Sequence, residues 1–479
     1  MTPETCHTCT DKFRSEHSAS LNDIIHTRRD FLMRTGMGFG AMSLSSLFGI
    51  NLGEAVGAPA GAAAKGSPLA VKAPHFPVKA KSVIHIFASG GPSQVDTWDP
   101  KTELTKYNDK TIPGHDGLAL GSPFEFKKSG KSGVEVSDVF PQLGTVIDEM
   151  AVIRSLWTDI PAHEVGQRFM NTGSLQLPKP SMGSWLVYGL GSENQNMPGF
   201  ITMGGAPDWR QSSFLPGIFQ GCNVNYNTRM DLDDVIMNIK NQFTPMERQR
   251  RELDLVRKLN QEHASRLQAD AQLEARIESF EMAFKMQTEA TDAFDVTKES
   301  DATRDMYGRT ETGARLLVAR RLVERGVRFI QVEAGGWDTH QNLPTAVRSA
   351  ATNVDQPAAA LIKDLKQRGL LDSTLIIWGG EFGRTVTRDR NGGGVAGRDH
   401  NGRSMVAWMA GGGVKGGTTY GSSDEFGARA VENKVHIHDL HATILALMGF
   451  DHEKLTYRYN GRDFRLTDNF GNVVKALIA

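Results

Sequence analysis

The sequence predicts an α/β fold in which helices cover both faces of a mostly parallel central sheet. The chain has 479 residues, of which 39% are apolar, so a large core can form. Several short runs are continuously apolar, as strands covered on both faces are. These strand candidates begin near residues 82, 150, 199, 327, 373 and 404. Helical patterns over residues 309–326, 344–369 and 437–448 alternate with them, which is typical of a parallel sheet.

One segment departs from this alternation. From about residue 230 to 300 the chain is charged, contains no glycine and offers no strand candidate. We therefore expect a helical insertion that lies beside the sheet rather than within it.

The N-terminal residues contain a candidate export signal. Their stretch "TRRDFLMRTGMGFG" contains the pair Arg28 and Arg29 before a weakly apolar segment, and it resembles a twin-arginine export signal. The alternative is a basic start that arose by chance. We expect residues 1–66 to be signal and linker and residues 67–479 to form the α/β domain, exported to the periplasm or cell surface. Because Arg34 and several glycines interrupt the apolar stretch, no integral membrane segment is expected after processing.

Charge and cysteine content exclude two further classes of protein. The formal net charge is -1, from 54 basic and 55 acidic residues, so a nucleic-acid partner is not expected. Two of the three cysteines lie in "CHTC", upstream of Arg28, and only Cys222 remains in the expected mature chain. An intramolecular disulfide framework is therefore excluded.

Carboxylates and imidazoles concentrate just beyond the predicted strands, at the edge where open α/β sheets bind ligands. In "GGWDTH", Asp338 and His340 stand two residues apart, so an extended backbone would turn both to the same side. A shared metal ion is one explanation for the pair, and a capped turn with a solvated His is the other. The complete set comprises Asp96, Asp99, His163, Asp338, His340, Glu381, Asp399 and His400.

Several of these segments resemble the metal-binding strand ends of sulfatases and phosphatases of the alkaline phosphatase superfamily. The clearest are "STLIIWGGEFG", "VEAGGWD" and "DHNGRSMVAWMAGGG", with "HDLHATILALMGF" similar to the helix that closes sulfatase domains. Residues 80–479 also resemble an exported bacterial family of unknown function within this superfamily, through "GGPSQVDTWDPK", "GGEFGRT" and "GRDHNG". The resemblance implies an alkaline phosphatase/sulfatase-like fold.

The resemblance also implies a metal site with one ion rather than the usual two. It places Asp338, Glu381 and His400 on metal-binding positions, and His340 could replace a ligand whose usual position holds Asn342. The first-strand Asp of the superfamily is Ser89 or Gly90 here, and the His beside the second carboxylate is Phe382. Carboxylate and imidazole ligands suit zinc or manganese better than calcium. The alternative for these residues is a structural polar network, in which Glu381 caps a turn or pairs with Arg384.

Alignment on "NTG", residues 171–173, places His163 where sulfatases carry their nucleophile at a helix N-terminus. There His163 could act as nucleophile, general base or metal ligand. By contrast, His441 lies on the same predicted helix face as Ile437 and Ile444, at helical spacing from both. This pattern predicts a packed or capping residue. The roles of His436 and His438 stay open.

Two functions fit these features. The first is a metal-dependent hydrolase of sulfate or phosphate esters, acting on a small anionic ester or on a sulfated or phosphorylated glycan. The second is a non-catalytic sulfatase-fold protein that binds or assembles in the periplasm or at the cell surface. The clustering of ionisable residues favours the first function, and the two missing metal ligands favour the second.

The export signal can be tested directly. Replacing both Arg28 and Arg29 by Lys should leave the full-length precursor in the cytoplasm, because the twin-arginine route requires that pair. Cell fractionation and immunoblotting would measure this, and normal export of the double variant would contradict the interpretation.

Overall fold

A computed structural model describes residues 67–479, except 177–178, 195, 229–234, 236–242, 267–270 and 390–393. The expected export signal and the "CHTC" motif lie outside the described residues. Strands are labelled β1 to β17 and helices α1 to α10 in chain order.

The strands of the nine-stranded central sheet and of four separate two-stranded sheets, among the described residues, have the following bounds. They are β1 (Ser82–Phe87), β2 (Phe126–Ser129), β3 (Val134–Ser137), β4 (Met150–Trp157), β5 (Phe200–Met203), β6 (Cys222–Asn223), β7 (Phe329–Glu333), β8 (Thr374–Gly379), β9 (Gly383–Arg388), β10 (Arg398–Asn401), β11 (Met405–Ala410), β12 (Thr418–Tyr420), β13 (Ser422–Ser423), β14 (Ala430–Glu432), β15 (Val435–His436), β16 (Tyr457–Tyr459) and β17 (Arg462–Phe464).

The helices lie between these strands. They are α1 (Gln94–Thr97), α2 (Thr102–Lys106), α3 (His163–Thr172), α4 (Met182–Leu190), α5 (Met246–Arg266), α6 (Ala271–Phe294), α7 (Asp301–Tyr307), α8 (Glu311–Glu324), α9 (Leu343–Gln367) and α10 (Ile437–Leu447).

The central sheet has the order β12-β4-β11-β8-β1-β7-β5-β6, with β15 also paired to β4. Strand β11 runs antiparallel to β8 and β4, while the other neighbours on this path are parallel. The carboxyl ends of β1, β4, β7 and β8 therefore share one edge, and the amino end of β11 reaches the same edge. The predicted mostly parallel sheet is confirmed, and each of the six strand candidates contributes a strand to it.

Burial shows that both faces of the sheet are covered. Every residue of β1, β5, β8 and β11 is buried, although successive side chains along a strand point to opposite faces. Trp378 of β8 stacks on Trp408 of β11 with ring centroids 6.2 Å apart. Burying large apolar side chains contributes roughly 1.5–3 kcal/mol each, so this layer is the main stabilising element of the fold.

The described part of the segment from about 230 to 300 is mostly helical. Its helices α5 and α6 pack on each other, and Arg250 of α5 contacts Glu281 of α6 at 2.9 Å. No strand occurs among the described residues of this segment. Over the described ranges as a whole, no helix combines the length and the apolar character needed to cross a membrane.

Two histidines of α10 hold the end of α3. His441 is fully buried and its Nε2 lies 2.7 Å from the carbonyl oxygen of Met170. His438 Nε2 lies 2.8 Å from the carbonyl oxygen of Gly173. Carbonyls in the last turn of a helix lack helical partners, and the imidazoles donate to them. His441 is thus a packed residue, as its spacing predicts, and α3 is fixed at the end opposite His163.

His436 has a different role. It is the N-cap of α10: its side chain accepts from the backbone of His438, and Asp439 accepts from the backbone N–H of His436. The two histidines that the spacing left open therefore act at helix ends.

Buried neutral histidines make the fold sensitive to acid. Burial lowers the pKa of both His85 and His441 from 6.5 to about 3. Between pH 6.5 and about pH 3 the unfolded chain binds protons at these histidines that the folded chain does not. The free energy of unfolding is therefore unaffected by their titration above pH 6.5 and falls as the pH drops below it. From pH 7.5 to pH 5 we expect a loss of about 2 kcal/mol per histidine.

Urea unfolding of the wild-type chain and of His441→Gln at pH 7.5 and pH 5 measures this effect. Glutamine can still donate to the Met170 carbonyl but does not titrate. The acid-induced loss should be smaller in the variant by about 2 kcal/mol. An identical loss in both proteins would contradict the assignment to His441.

Candidate metal centre

The candidate site lies at the shared edge of the central sheet. His163 begins α3, six residues after the end of β4. Asp338 and His340 follow β7, and Glu381 lies in the turn between β8 and β9. His400 lies on β10, shortly before β11, and is the cross-strand partner of Arg384 on β9. Four separate chain segments therefore meet at the edge where the sequence predicts a site.

Four side-chain atoms converge here. The Oδ1 atom of Asp338 lies 2.9 Å from His340 Nε2, 3.2 Å from His163 Nε2 and 3.5 Å from His400 Nε2. The Nε2 atoms of His340 and His400 are 3.0 Å apart. One ligand atom from each of the four residues lies within 4.8 Å of the others. The structure thus brings Asp338, His340 and His400 together, with His163 as a fourth member of the cluster.

Each imidazole in the cluster is anchored by its other nitrogen. His163 Nδ1 lies 2.7 Å from Glu381 Oε1, and His340 Nδ1 lies 2.5 Å from Asp389 Oδ2. His400 Nδ1 lies 3.1 Å from the Pro161 carbonyl oxygen. Because these oxygens accept hydrogen bonds, each Nδ1 carries the proton and donates it outward. In a neutral ring the Nε2 atom then carries the lone pair, and the three Nε2 atoms lie 2.9–3.5 Å from Asp338 Oδ1.

This arrangement fits a metal ion. Metal-bound histidines characteristically donate their second nitrogen to a carboxylate or a carbonyl, which fixes ring orientation. Bonds of about 2.1 Å in a tetrahedron place neighbouring ligand atoms roughly 3.4 Å apart, close to the 2.9–3.5 Å separations here. His163 Nε2 is buried without a hydrogen-bond partner, as expected of an atom that awaits a ligand.

The local charge also favours a cation. Four carboxylates, those of Asp338, Glu381, Asp389 and Asp399, surround or adjoin the imidazoles, and His340, Asp389 and Asp399 form a second candidate group. Arg384 is the basic side chain that contacts this cluster. A divalent ion would offset the excess of negative charge.

Glu381 lies behind the cluster rather than in it. Its carboxylate is fully buried and accepts from the Gly90 backbone N–H at 2.9 Å and from Gln167 Nε2 at 3.2 Å, besides contacting His163. All three contacts involve Oε1, while Oε2 lies 3.2 Å from the Gly90 nitrogen. The sequence predicts Glu381 as a metal ligand and His163 as a catalytic residue, and both roles stay predictions. In the structure Glu381 Oε1 lies 2.7 Å from His163 Nδ1, and His163 Nε2 lies 3.2 Å from Asp338 Oδ1.

The departures from the superfamily pattern have a structural basis. Gly90 has φ +113°, and a Cβ atom there would lie 2.4 Å from the Asp338 backbone nitrogen. No side chain fits at Gly90. Ser89, the other residue that the resemblance offers for the first metal-binding Asp, donates its hydroxyl to Glu333 at 2.9 Å. Phe382 is fully buried and packs on the rings of His163 and His400, with centroids 4.9 and 4.6 Å away. The second ligand position is thus filled by an apolar ring.

The pKa values follow from these contacts. Burial alone would raise the pKa of the Asp338 carboxyl, but Arg384, His163 and His340 outweigh it and lower that pKa to about 2. The hydrogen bond that His163 donates to Glu381 raises the pKa of His163. Burial, reinforced by Arg384, lowers the pKa of His400. The shifts favour the ionised form of Asp338 and the neutral form of His400, which are the forms that bind metal ions.

Sequence reasoning missed two contributors, Asp389 and the Pro161 carbonyl. Asp389 directly follows β9, and a carboxylate at a strand end is a signal that could have found it. A backbone carbonyl has no sequence signal. The pairing of Arg384 with Glu381, which the sequence offered as an alternative, is replaced by a contact with Asp338 at 2.5 Å.

The chain is similar to several solved structures at low sequence identity. No curated protein matches it. Solved structures that match include the PsFucS1 sulfatase from Pseudoalteromonas sp., with 14% identity over 78% of this chain and 68% of that chain and a TM-score of 0.36. The lipoteichoic acid synthase LtaP from Listeria monocytogenes matches with 9% identity over 86% and 78% and a TM-score of 0.34.

The alkaline phosphatase from the Antarctic bacterium TAB5 matches with 10% identity over 70% of this chain and 92% of that chain, with a TM-score of 0.31. Similarity at this level does not transfer an activity. A family described as a protein of unknown function, DUF1501, matches residues 80–478.

The anchoring hydrogen bonds yield a prediction. Asp389→Asn keeps an oxygen near His340 Nδ1 but removes the charge, so zinc affinity should fall by about 10- to 100-fold. Competition with a chelating dye would measure that affinity. Asp355→Asn is the matched control, because Asp355 is a similarly buried carboxylate that accepts from the backbone of Gln142 and Leu143 elsewhere. Equal zinc affinity in both variants would rule out an orienting role for Asp389.

Proposed function

The chain belongs to the DUF1501 family of proteins of unknown function, and we propose that it is a metal-dependent hydrolase of sulfate or phosphate esters. The observation that carries this proposal is the convergence of three anchored imidazoles and one carboxylate at the carboxyl edge of the sheet. Such a set of nitrogen and oxygen ligands suits zinc or manganese better than calcium.

Asp338, His340 and His400 would hold the ion. When bound, a divalent ion supplies positive charge that polarises an ester oxygen and stabilises the charge that develops during attack. Asp338 contributes an ionised carboxylate, and the two imidazoles present lone pairs whose direction Asp389 and Pro161 fix.

His163 would take the catalytic role. Its Nδ1–H bond to the buried Glu381 leaves Nε2 free to accept a proton or to attack, and the carboxylate stabilises the imidazolium that forms. His163 is also the first residue of α3, and the partial positive charge of a helix N-terminus favours a substrate anion there. Nucleophile and general base are both consistent with this position.

Accessibility supports an open, catalytic site. The Asp338 side chain is 50% exposed, and the His163, His340 and His400 side chains are 20–33% exposed. The four side chains are therefore partly open to solvent, although the His163 Nε2 atom itself is buried. Closed structural zinc sites use four protein ligands, whereas catalytic sites keep one position for water or substrate.

The second candidate function also has an observation in its favour. His163 Nε2 belongs to the same four-atom group, and if it coordinates the ion, the site is a closed set of three imidazoles and one carboxylate. A closed site would make the protein a non-catalytic member of the fold that binds or assembles with a partner. The role of His163 therefore separates the two functions.

The location and partners that we propose follow from the sequence. Arg28 and Arg29 support export by the twin-arginine route, to the periplasm or the cell surface. There a small anionic ester or a sulfated or phosphorylated glycan is the substrate class that fits a cationic metal site at a helix N-terminus.

Substitution of His163 decides between the functions. In His163→Gln we expect zinc to bind with unchanged stoichiometry and similar affinity, and hydrolysis of 4-nitrophenyl sulfate and phosphate esters to fall by about 10²- to 10⁴-fold, as for loss of a proton-transfer group. His452→Gln is a control, because His452 contacts Thr467 rather than the cluster. Loss of zinc from His163→Gln, with no ester hydrolysed by the zinc-loaded wild type, would favour the binding protein.

A further inference from the structure

The guanidinium of Arg384 lies directly beside the converging atoms, yet it is not available to a substrate. Its side chain is 0% exposed. Isolated buried charges are costly, so a guanidinium retained at this depth needs partners for its donors. The identity of those partners indicates what Arg384 does.

Every hydrogen-bond partner of the guanidinium is an acceptor of the kind that surrounds a metal ion. Nε donates to the Gly91 carbonyl at 2.9 Å, and Nη1 donates to the Arg398 carbonyl at 3.1 Å. Nη2 donates to the Gly90 carbonyl and lies 2.5 Å from Asp338 Oδ1. Nη1 also lies 3.3 Å from His340 Nε2. Carbonyl and carboxylate oxygens of this type are the usual ligands of hard cations.

Two residues near the Arg384 guanidinium, Gly90 and Glu381, occupy positions where the superfamily resemblance implies metal ligands. The backbone of Asp338 occupies the space that a side chain at Gly90 would need. Glu381 turns its carboxylate to the Gly90 N–H and to His163. Gly90 therefore supplies no side-chain ligand, and the Oε1 atom of Glu381 is engaged by hydrogen bonds. The Arg384 guanidinium lies between the Gly90 carbonyl and the Asp338 carboxylate and contacts both.

We propose that Arg384 is a built-in second cation, which replaces a second metal ion and limits the site to one divalent ion per chain. The proposal rests on the metal site of the proposed function and deepens it. Arg384 is a positioning residue, because its guanidinium holds Asp338 Oδ1 beside the imidazoles. It also donates to the Gly90 and Gly91 carbonyls, which follow β1, and to the Arg398 carbonyl at the start of β10.

Arginine suits this role better than lysine. Its planar fork presents five N–H donors in fixed directions and stays charged when buried, whereas an ammonium is a single point charge. One guanidinium can therefore reach the several carbonyls and Asp338 at once, as a coordinated ion would. The permanent charge also offsets part of the negative charge of Asp338, Glu381, Asp389 and Asp399.

Ion counting tests this proposal. The full chain, stripped of metal and then dialysed against zinc with magnesium or calcium, is measured by elemental analysis, and its Tm is recorded with each ion. We expect one zinc and no second ion in the wild type. In Arg384→Ala we expect a second ion, magnesium or calcium, among the vacated oxygens, and a rise in Tm when that ion is added.

Arg398→Ala is the matched control. Arg398 is also fully buried and contacts Asp96 at 2.7 Å, but its guanidinium does not contact the cluster. Its loss should lower the Tm without adding an ion site. Arg384→Lys retains the charge and should bind one zinc and no second ion, which keeps a test available if the alanine variant does not fold.

Several outcomes would overturn the proposal: two ions or none in the wild type, a second ion in Arg384→Lys, or one zinc in Arg384→Ala with no response to magnesium or calcium. Because no substrate is used, the result is separate from the proposed activity. A wild type that binds one zinc but hydrolyses no ester would remove the hydrolase proposal and leave the role of Arg384 standing.

Discussion

The outward hydrogen bond of each cluster imidazole is the constraint on which the candidate site depends. Glu381, Asp389 and the Pro161 carbonyl each accept a hydrogen bond from an Nδ1–H group, and these bonds orient the three rings so that their Nε2 atoms meet beside Asp338. The acceptors come from the turn after β8, the end of β9 and the loop before α3. The site therefore forms only when these separate segments are folded together at the edge of the sheet.

This dependence links ion binding to stability. Lone pairs and a carboxylate held within a few ångströms repel one another, and a partly buried setting weakens the screening by water. An ion that binds the assembled edge but not the unfolded chain stabilises the fold by mass action. Arg384 reduces the same repulsion by a permanent charge, and α10 fixes the far end of α3 through His438 and His441, so His163 keeps its place in the cluster.

The sequence predicts the fold well because strand signals are local. The apolar runs at β1, β7, β8 and β11 need only a few neighbouring residues to be recognised, and strand order places their ends together. The i, i+2 spacing likewise brings Asp338 and His340 together without knowledge of the rest of the chain. Placing His400 with them required the resemblance to sulfatases and phosphatases, because it lies 60 residues away on another strand.

The contact between Glu381 and His163 could not be predicted in the same way. It depends on the turn after β8, where a Cβ atom at Gly380 would lie 2.5 Å from the Ala88 carbonyl, so the chain there follows the end of β1 closely. That path turns Glu381 toward the Gly90 N–H. Contacts between backbone atoms of distant segments, such as those of Gly90 and Pro161, leave no pattern in side-chain chemistry for a sequence to reveal.

X-ray absorption at the zinc edge tests the central claim most directly, because it reads the ligands of the ion itself. For the zinc-loaded full chain we predict imidazole nitrogen and carboxylate oxygen scatterers at about 2.0–2.2 Å, with the outer-shell signals of two or three histidines. Replacement of His340 by Ala should remove one imidazole contribution. A spectrum with oxygen scatterers alone, or zinc that dialyses away from the wild-type chain, would contradict the assignment of this edge as a metal centre.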